Sequence, residues 1–187
     1  MEEKVKYFNY LEKERLERIF YKQPQEFDKK TDKDILKYAL GAFLYIPANK
    51  YEQIYKSVVN QEKEAKPLAI CLEDAISEFG EREAIENLKL VLDDLSKQVF
   101  CKLEKLPLIF IRVKNKEQLK KIKDILIKNK DFITGIIIPK ADSELLEDFI
   151  SILDNFNLNN LYIIPIIESS KFIYKEIKET QFQKMYY

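Results

Sequence analysis

Two carboxylates stand side by side at Glu73-Asp74, and a third, Glu168, follows another apolar run much later in the chain. None of the three has a His or Cys neighbour that would form a metal motif with it. Hard oxygen ligands of this kind suit Mg²⁺, which takes one or two carboxylates and fills its remaining positions with water and substrate oxygens. A metal held there polarises a carbonyl and stabilises an enolate as a Lewis acid. Arg112 is the second notable group. The chain has 28 Lys and only 4 Arg; Arg15, Arg18 and Arg82 lie in highly charged stretches, whereas Arg112 alone interrupts an apolar run. A planar guanidinium grips a carboxylate or phosphate through two parallel hydrogen bonds, which lysine does not do. A buried arginine needs a partner, so an ion pair with Glu73 or Asp74 is a competing structural reading. Glu73 and Asp74 also have a plainer reading, as residues that open a loop and favour the N-terminus of the next helix. Lys50 and Lys140, each just past an apolar run, complete the candidate set.

These groups share a position relative to the elements that carry them. Five apolar runs, 43–46, 68–72, 108–111, 135–138 and 161–167, are nearly continuous and rich in β-branched residues, as strands buried on both faces are. Amphipathic, charged stretches near 50–60, 81–98, 115–129, 142–156 and 170–183 follow them. Five β-then-α units in a row predict right-handed crossovers and a parallel sheet. The first strand runs into Pro47-Ala48-Asn49-Lys50, the second into Glu73-Asp74 and the third into Arg112. The fourth runs into Pro139-Lys140 and the fifth into Glu168-Ser169. The carboxyl ends of parallel strands lie on one edge, where ligands bind, so these side chains are expected to converge. A doubly wound open sheet and part of an eight-stranded (β/α) barrel both fit. The first strand lies inside the sheet in one and at its edge in the other. Residues 1–42 precede the strands as a helical extension: a helix over 2–20, a break at Gln23-Pro24-Gln25, then a second helix capped by Thr31, with Asp34 at its third position, and ended by Gly41.

Composition excludes several classes. The chain has 187 residues and no histidine, which removes His-based triads and HExxH zinc sites. Lys+Arg and Asp+Glu are both 32, a balance unlike that of a nonspecific nucleic-acid binder. Only Gly41, Gly80 and Gly135 occur, and no glycine-rich phosphate loop follows any strand. Cys71 and Cys101 fit neither a metal motif nor a disulfide framework, and Cys71 reads as a small buried side chain. No apolar run is long enough to span a membrane, and MEEKVKYF lacks the apolar core of a signal peptide. A cytoplasmic protein without nucleic-acid or membrane partners is expected.

The segments Leu44-Tyr45-Ile46-Pro47-Ala48-Asn49-Lys50, Cys71-Leu72-Glu73-Asp74-Ala75, Ile111-Arg112-Val113-Lys114-Asn115, Ile138-Pro139-Lys140 and Ile167-Glu168-Ser169 stand in the order seen in a known family. The chain resembles the HpcH/HpaI aldolase and citrate lyase β-subunit superfamily. Phe20-Tyr21-Lys22-Gln23-Pro24 and the stretch from Asp32 to Gly41 resemble its carbon–carbon bond lyase branch from tellurium-resistance and stress operons. The resemblance implies a (β/α)₈ TIM barrel and Mg²⁺-dependent cleavage or formation of a C–C bond beside a carbonyl. The implied substrate is a carboxylate or an acyl thioester such as a CoA thioester. By position, the resemblance makes Glu168 a metal ligand, and Arg112 the group that holds the substrate's carboxylate or carbonyl oxygens. Glu73 and Asp74 become the acidic pair that supports the metal and its waters. Asn49 and Lys50 become a turn that contacts a phosphate-bearing substrate or CoA, and Lys140 a site-lining cation. The family carries a second metal-ligating aspartate after a sixth strand, and five strand runs are present here. The expected reading is thus residues 43–187 as an incomplete barrel of about five βα units, the N-terminal portion of such a lyase. A non-catalytic remnant and a phosphate-ligand binding module are the alternatives. Open strand edges would favour a homo-oligomer.

Overall fold

The computed structural model describes residues 5–59, 67–74, 76–101 and 106–186. Its centre is one parallel sheet of β1 (Leu44–Pro47), β2 (Leu68–Cys71), β3 (Ile109–Arg112), β4 (Ile133–Ile138) and β5 (Tyr162–Pro165). The spatial order is β1-β2-β3-β4-β5, the order of the chain itself. A doubly wound sheet places its first strand inside; here β1 lies at an edge, so the sheet is an unclosed arc of a barrel. Burial follows from this position. All six residues of β4 are buried, whereas every residue of β5, at the other edge, is only half-buried.

One face of the sheet packs against the helices that follow the strands. These are α3 (Tyr51–Val59), α4 (Glu81–Cys101), α5 (Lys116–Lys121), α6 (Lys123–Lys128), α7 (Ser143–Asn155) and α8 (Lys175–Tyr186). On α4 the buried residues Ala84, Leu88, Val91, Leu92 and Leu95 recur at helical spacing and make one apolar stripe. With Ile70, Ile111, Ile136 and Ile138 from the strands they form the larger core. The alternate strand residues point to the other face, which is the inner face of a barrel. There Ala69, Phe110 and Ile137 pack with Val5, Phe27 and Leu36 of the N-terminal extension. Gly135 marks a close approach on this face: a Cβ there would lie 2.3 Å from the Tyr162 carbonyl oxygen and 2.9 Å from the Phe110 ring.

The extension differs from its sequence reading in two places. Helix α1 covers only Lys13–Ile19, because Val5 and Phe27 exchange two backbone hydrogen bonds of 2.8 Å and Phe8 takes a left-handed φ of 60°. Helix α2 (Lys33–Ala39) is capped by Asp32, whose carboxylate accepts from the Asp34 amide, and not by Thr31. The Thr31 hydroxyl instead accepts from the Asp28 amide, one turn earlier. Gly41, at φ 52°, does follow the end of α2 in the left-handed conformation. Cys71 is buried as expected. The Cys101 side chain and Ala75 lie outside the described residues.

Candidate active site

The carboxyl ends of β2 to β5 bring five of the expected side chains together. Arg112, two residues beyond Phe110, points to the inner face and is largely buried, with 13% of its side chain exposed. Its Nη2 lies 2.5 Å from Glu73 Oε2, 3.0 Å from Asp74 Oδ2 and 3.8 Å from Glu168 Oε1. The Lys140 ammonium stands 3.4 Å from Glu73 Oε1, and the Lys140 amide donates to Glu168 Oε1 at 3.2 Å. Carboxylates from β2 and β5 thus meet cations from β3 and β4 in one cluster. The ion pair of Arg112 with Glu73 and Asp74, expected as the structural alternative, is present, and it occupies the same place as the expected site.

The pairing of Arg112 with Glu73 is electrostatic rather than an aligned hydrogen bond. Among the described residues, neither Glu73 Oε2 nor Arg112 Nε has a partner in hydrogen-bond geometry. Glu73 keeps only 7% of its side chain exposed, so its carboxylate meets these neighbours rather than bulk water. Burial alone would draw the Arg112 pKa down; the charges of Glu73 and Asp74 outweigh it and hold the group above its ordinary value. Three carboxylates, Glu73, Asp74 and Glu168, face two cations, Arg112 and Lys140, an excess of one negative charge.

Asn49 and Lys50 stand apart from this cluster. The Asn49 side-chain oxygen is buried without a partner, at the end of β1. Lys50 is exposed, and its side chain makes no ion pair among the described residues. Three further residues shape the site: Tyr45 and Asn115, which lie in the family-like segments without a role assigned from the sequence, and Gln118, which the sequence does not single out. The Tyr45 ring stands under the Arg112 guanidinium, 5.8 Å from ring centroid to Cζ. Burial pushes the Tyr45 hydroxyl pKa up, against the opposite pull of Arg112. Its position, alternate to Ile46 in the first apolar run, was the available clue. Asn115 caps α5, accepting from the Gln118 amide at 2.9 Å. Gln118 is fully buried; its side chain donates to the Leu72 carbonyl at 3.1 Å and accepts from the Lys114 amide at 2.7 Å. It ties the loop that carries Glu73 to the loop after Arg112. A lone polar residue in a charged helical stretch offers no sequence clue to that role.

The donors fit a hard cation in kind, since the acidic groups are all oxygen ligands and Glu168 is half-exposed. Among the described residues, no group of three or more His, Cys, Asp or Glu side chains is arranged to hold a metal ion. Glu73 and Asp74 turn toward Arg112 instead. The protein's share of a Mg²⁺ shell here would be one carboxylate or two, with oxygens of water and substrate completing it.

Residues 34–187 match the family described as C–C bond lyase of the TIM-barrel fold. The chain belongs to this family. The match covers α2 from its second residue, Asp34, and every strand of the sheet. Two solved structures are similar in fold. The Haloferax volcanii malate synthase magnesium/glyoxylate complex is 18% identical, with a TM-score of 0.52 over 68% of this chain and 42% of that one. The lead(II) complex of the same enzyme is 17% identical, with a TM-score of 0.55 over 76% of this chain and 43% of that one. The chain thus spans less than half the length of these malate synthases. No curated protein matches the sequence. The unclosed sheet in barrel order is what this family's fold leads one to expect of five βα units. No helix among the described residues is long and apolar enough to cross a membrane.

Proposed function

We propose that this chain forms the strand-end half of a lyase site that makes or breaks a C–C bond beside a carbonyl. The observation that carries the reading is Arg112. In a C–C bond lyase family, a single guanidinium on the inner face at the end of β3 lies within 4 Å of carboxylates from β2 and β5. A small carboxylic acid or acyl thioester is the substrate class. Arg112 holds its carboxylate or carbonyl oxygens through the guanidinium edge that remains exposed. Glu168 is the residue that would hold Mg²⁺, and the metal would supply charge stabilisation of the enolate oxygen. Glu73 and Asp74 hold the Arg112 guanidinium in its orientation. Tyr45 supports the guanidinium from below and excludes water from that side. Asn49 and Lys50, in the turn after β1, are assigned by the family resemblance to a phosphate-bearing extension such as that of CoA, Lys50 through its exposed ammonium.

The excess negative charge of the cluster supports the metal reading: a carboxylate substrate meets a repulsive site until a cation is bound. The test is calorimetric titration of the protein with MgCl₂, then with pyruvate or oxaloacetate in the presence of Mg²⁺. Wild-type protein is expected to bind Mg²⁺, and Glu168→Gln to bind it about tenfold or more weakly. Identical isotherms for the two proteins would remove Glu168 from the metal site. Pyruvate binding that is indifferent to Mg²⁺ would remove the metal from the substrate site.

A further inference from the structure

At the end of β4 the backbone departs from a regular ladder. In a parallel pair, one residue of β5 donates to and accepts from residues two apart on β4. Here the Ile166 amide donates to the Ile138 carbonyl at 2.8 Å, but the Ile166 carbonyl accepts from Ala141 at 2.9 Å, three residues on. One extra residue is inserted opposite Ile166, which makes a bulge of Pro139-Lys140. Pro139 has no amide hydrogen to lose, and Lys140 takes a left-handed φ of 51°. A lysine in that conformation carries a Cβ clash that glycine avoids and asparagine tolerates. The insertion frees the Lys140 amide from the ladder and turns it toward Glu168 Oε1, 3.2 Å away. The same residue sends its ammonium to Glu73 Oε1 at 3.4 Å.

We infer that Lys140 is a positioning residue whose left-handed bulge sets the separation of Glu168 and Glu73, the first through its amide and the second through its ammonium. Bulges beside functional sites re-aim groups in this way. Strain held at one non-glycine residue of a strand end is explained by a geometry that a regular ladder would not supply. Among the described residues, the other left-handed positions, Phe8, Gly41 and Asn157, lie outside the charged cluster.

Two measurements test this, and only the second rests on the proposed lyase reading. In metal-free ¹⁵N-labelled protein, the Lys140 amide proton is expected to move upfield in Glu168→Gln, because a neutral amide oxygen is a weaker acceptor than a carboxylate. No movement would overturn the inference. The second compares Lys140→Asn with Lys140→Ile. Both remove the ammonium, but asparagine tolerates the left-handed conformation and a β-branched residue resists it. The Asn variant is expected to bind Mg²⁺ about tenfold more tightly than the Ile variant, with Lys140→Ala in its place if the Ile variant does not fold. Equal affinities would overturn the inference. If wild-type protein binds no Mg²⁺, the lyase reading fails and the amide resonance alone decides the role of Lys140.

Discussion

The Nη2 of Arg112 lies 2.5 Å from Oε2 of Glu73, and both side chains are largely buried on the inner face of the sheet. A buried pair of this kind is weak evidence for net stability, but removing one partner leaves an uncompensated charge. Arg112→Met is therefore expected to destabilise the fold by about 3 kcal/mol, measured by urea unfolding. The double variant Arg112→Met with Glu73→Met is expected to recover most of that loss. Asp74→Asn, at an exposed carboxylate, should change stability by less than about 1 kcal/mol. An equal loss for Asp74→Asn and Arg112→Met would show that burial does not govern this cluster.

Gly135 offers a test of the sheet itself. Its missing Cβ is what lets β5 approach β4, since the nearest atom is a backbone oxygen that has no rotamer to change. Gly135→Ala is expected to cost about 2 kcal/mol or more in thermal or denaturant unfolding. A neutral result would mean that β5 shifts away readily, as an edge strand held on one side is able to do.

The acid dependence of stability should carry a contribution from Asp142. This carboxylate caps α7 through the Leu145 amide at 2.9 Å and pairs with the Lys171 ammonium at 2.9 Å. Burial by itself would raise its pKa; the Leu145 amide and Lys171 outweigh burial, and the net shift is downward from 3.8. A carboxylate depressed in the folded state adds stability at pH values above its unfolded pKa, and that stability is lost as pH falls through the folded pKa. Asp142→Ala is thus expected to cost about 1 kcal/mol at neutral pH. The gap to wild type should narrow steadily below about pH 4, as the wild-type carboxylate takes up its proton. A gap that stays constant through that range would assign the loss to packing rather than to charge.

The barrel-type architecture was half legible in advance. Apolar runs of β-branched residues announced five buried parallel strands, and their boundaries fall within a residue or two of those observed. The helix predicted over 115–129 is interrupted at Ile122 and forms α5 and α6. The long helix predicted over 2–20 shrank to seven residues because an antiparallel bridge between Val5 and Phe27 competed for its backbone. Nothing local in residues 2–20 signals a partner more than twenty residues away. The site residues at strand ends were legible because parallel topology places those ends together whatever the strand order.

What the sequence determined by itself was the chemistry on offer. It supplied three carboxylates and one isolated arginine at strand ends, no histidine, and five βα units in series. Tertiary structure decided how those groups are spent. Strand order is a property of pairing between segments far apart in the chain, so only the assembled sheet could put β1 at its edge and exclude the doubly wound arrangement. Distances decided that Glu73 and Asp74 turn toward Arg112, while Lys50 stays outside the cluster. The left-handed turn at Lys140 depends on a hydrogen-bond register between β4 and β5, which no residue type announces. Residue types specify charge and hydrogen-bonding capacity; separations of a few ångströms, which fix the partners, arise only when distant segments pack.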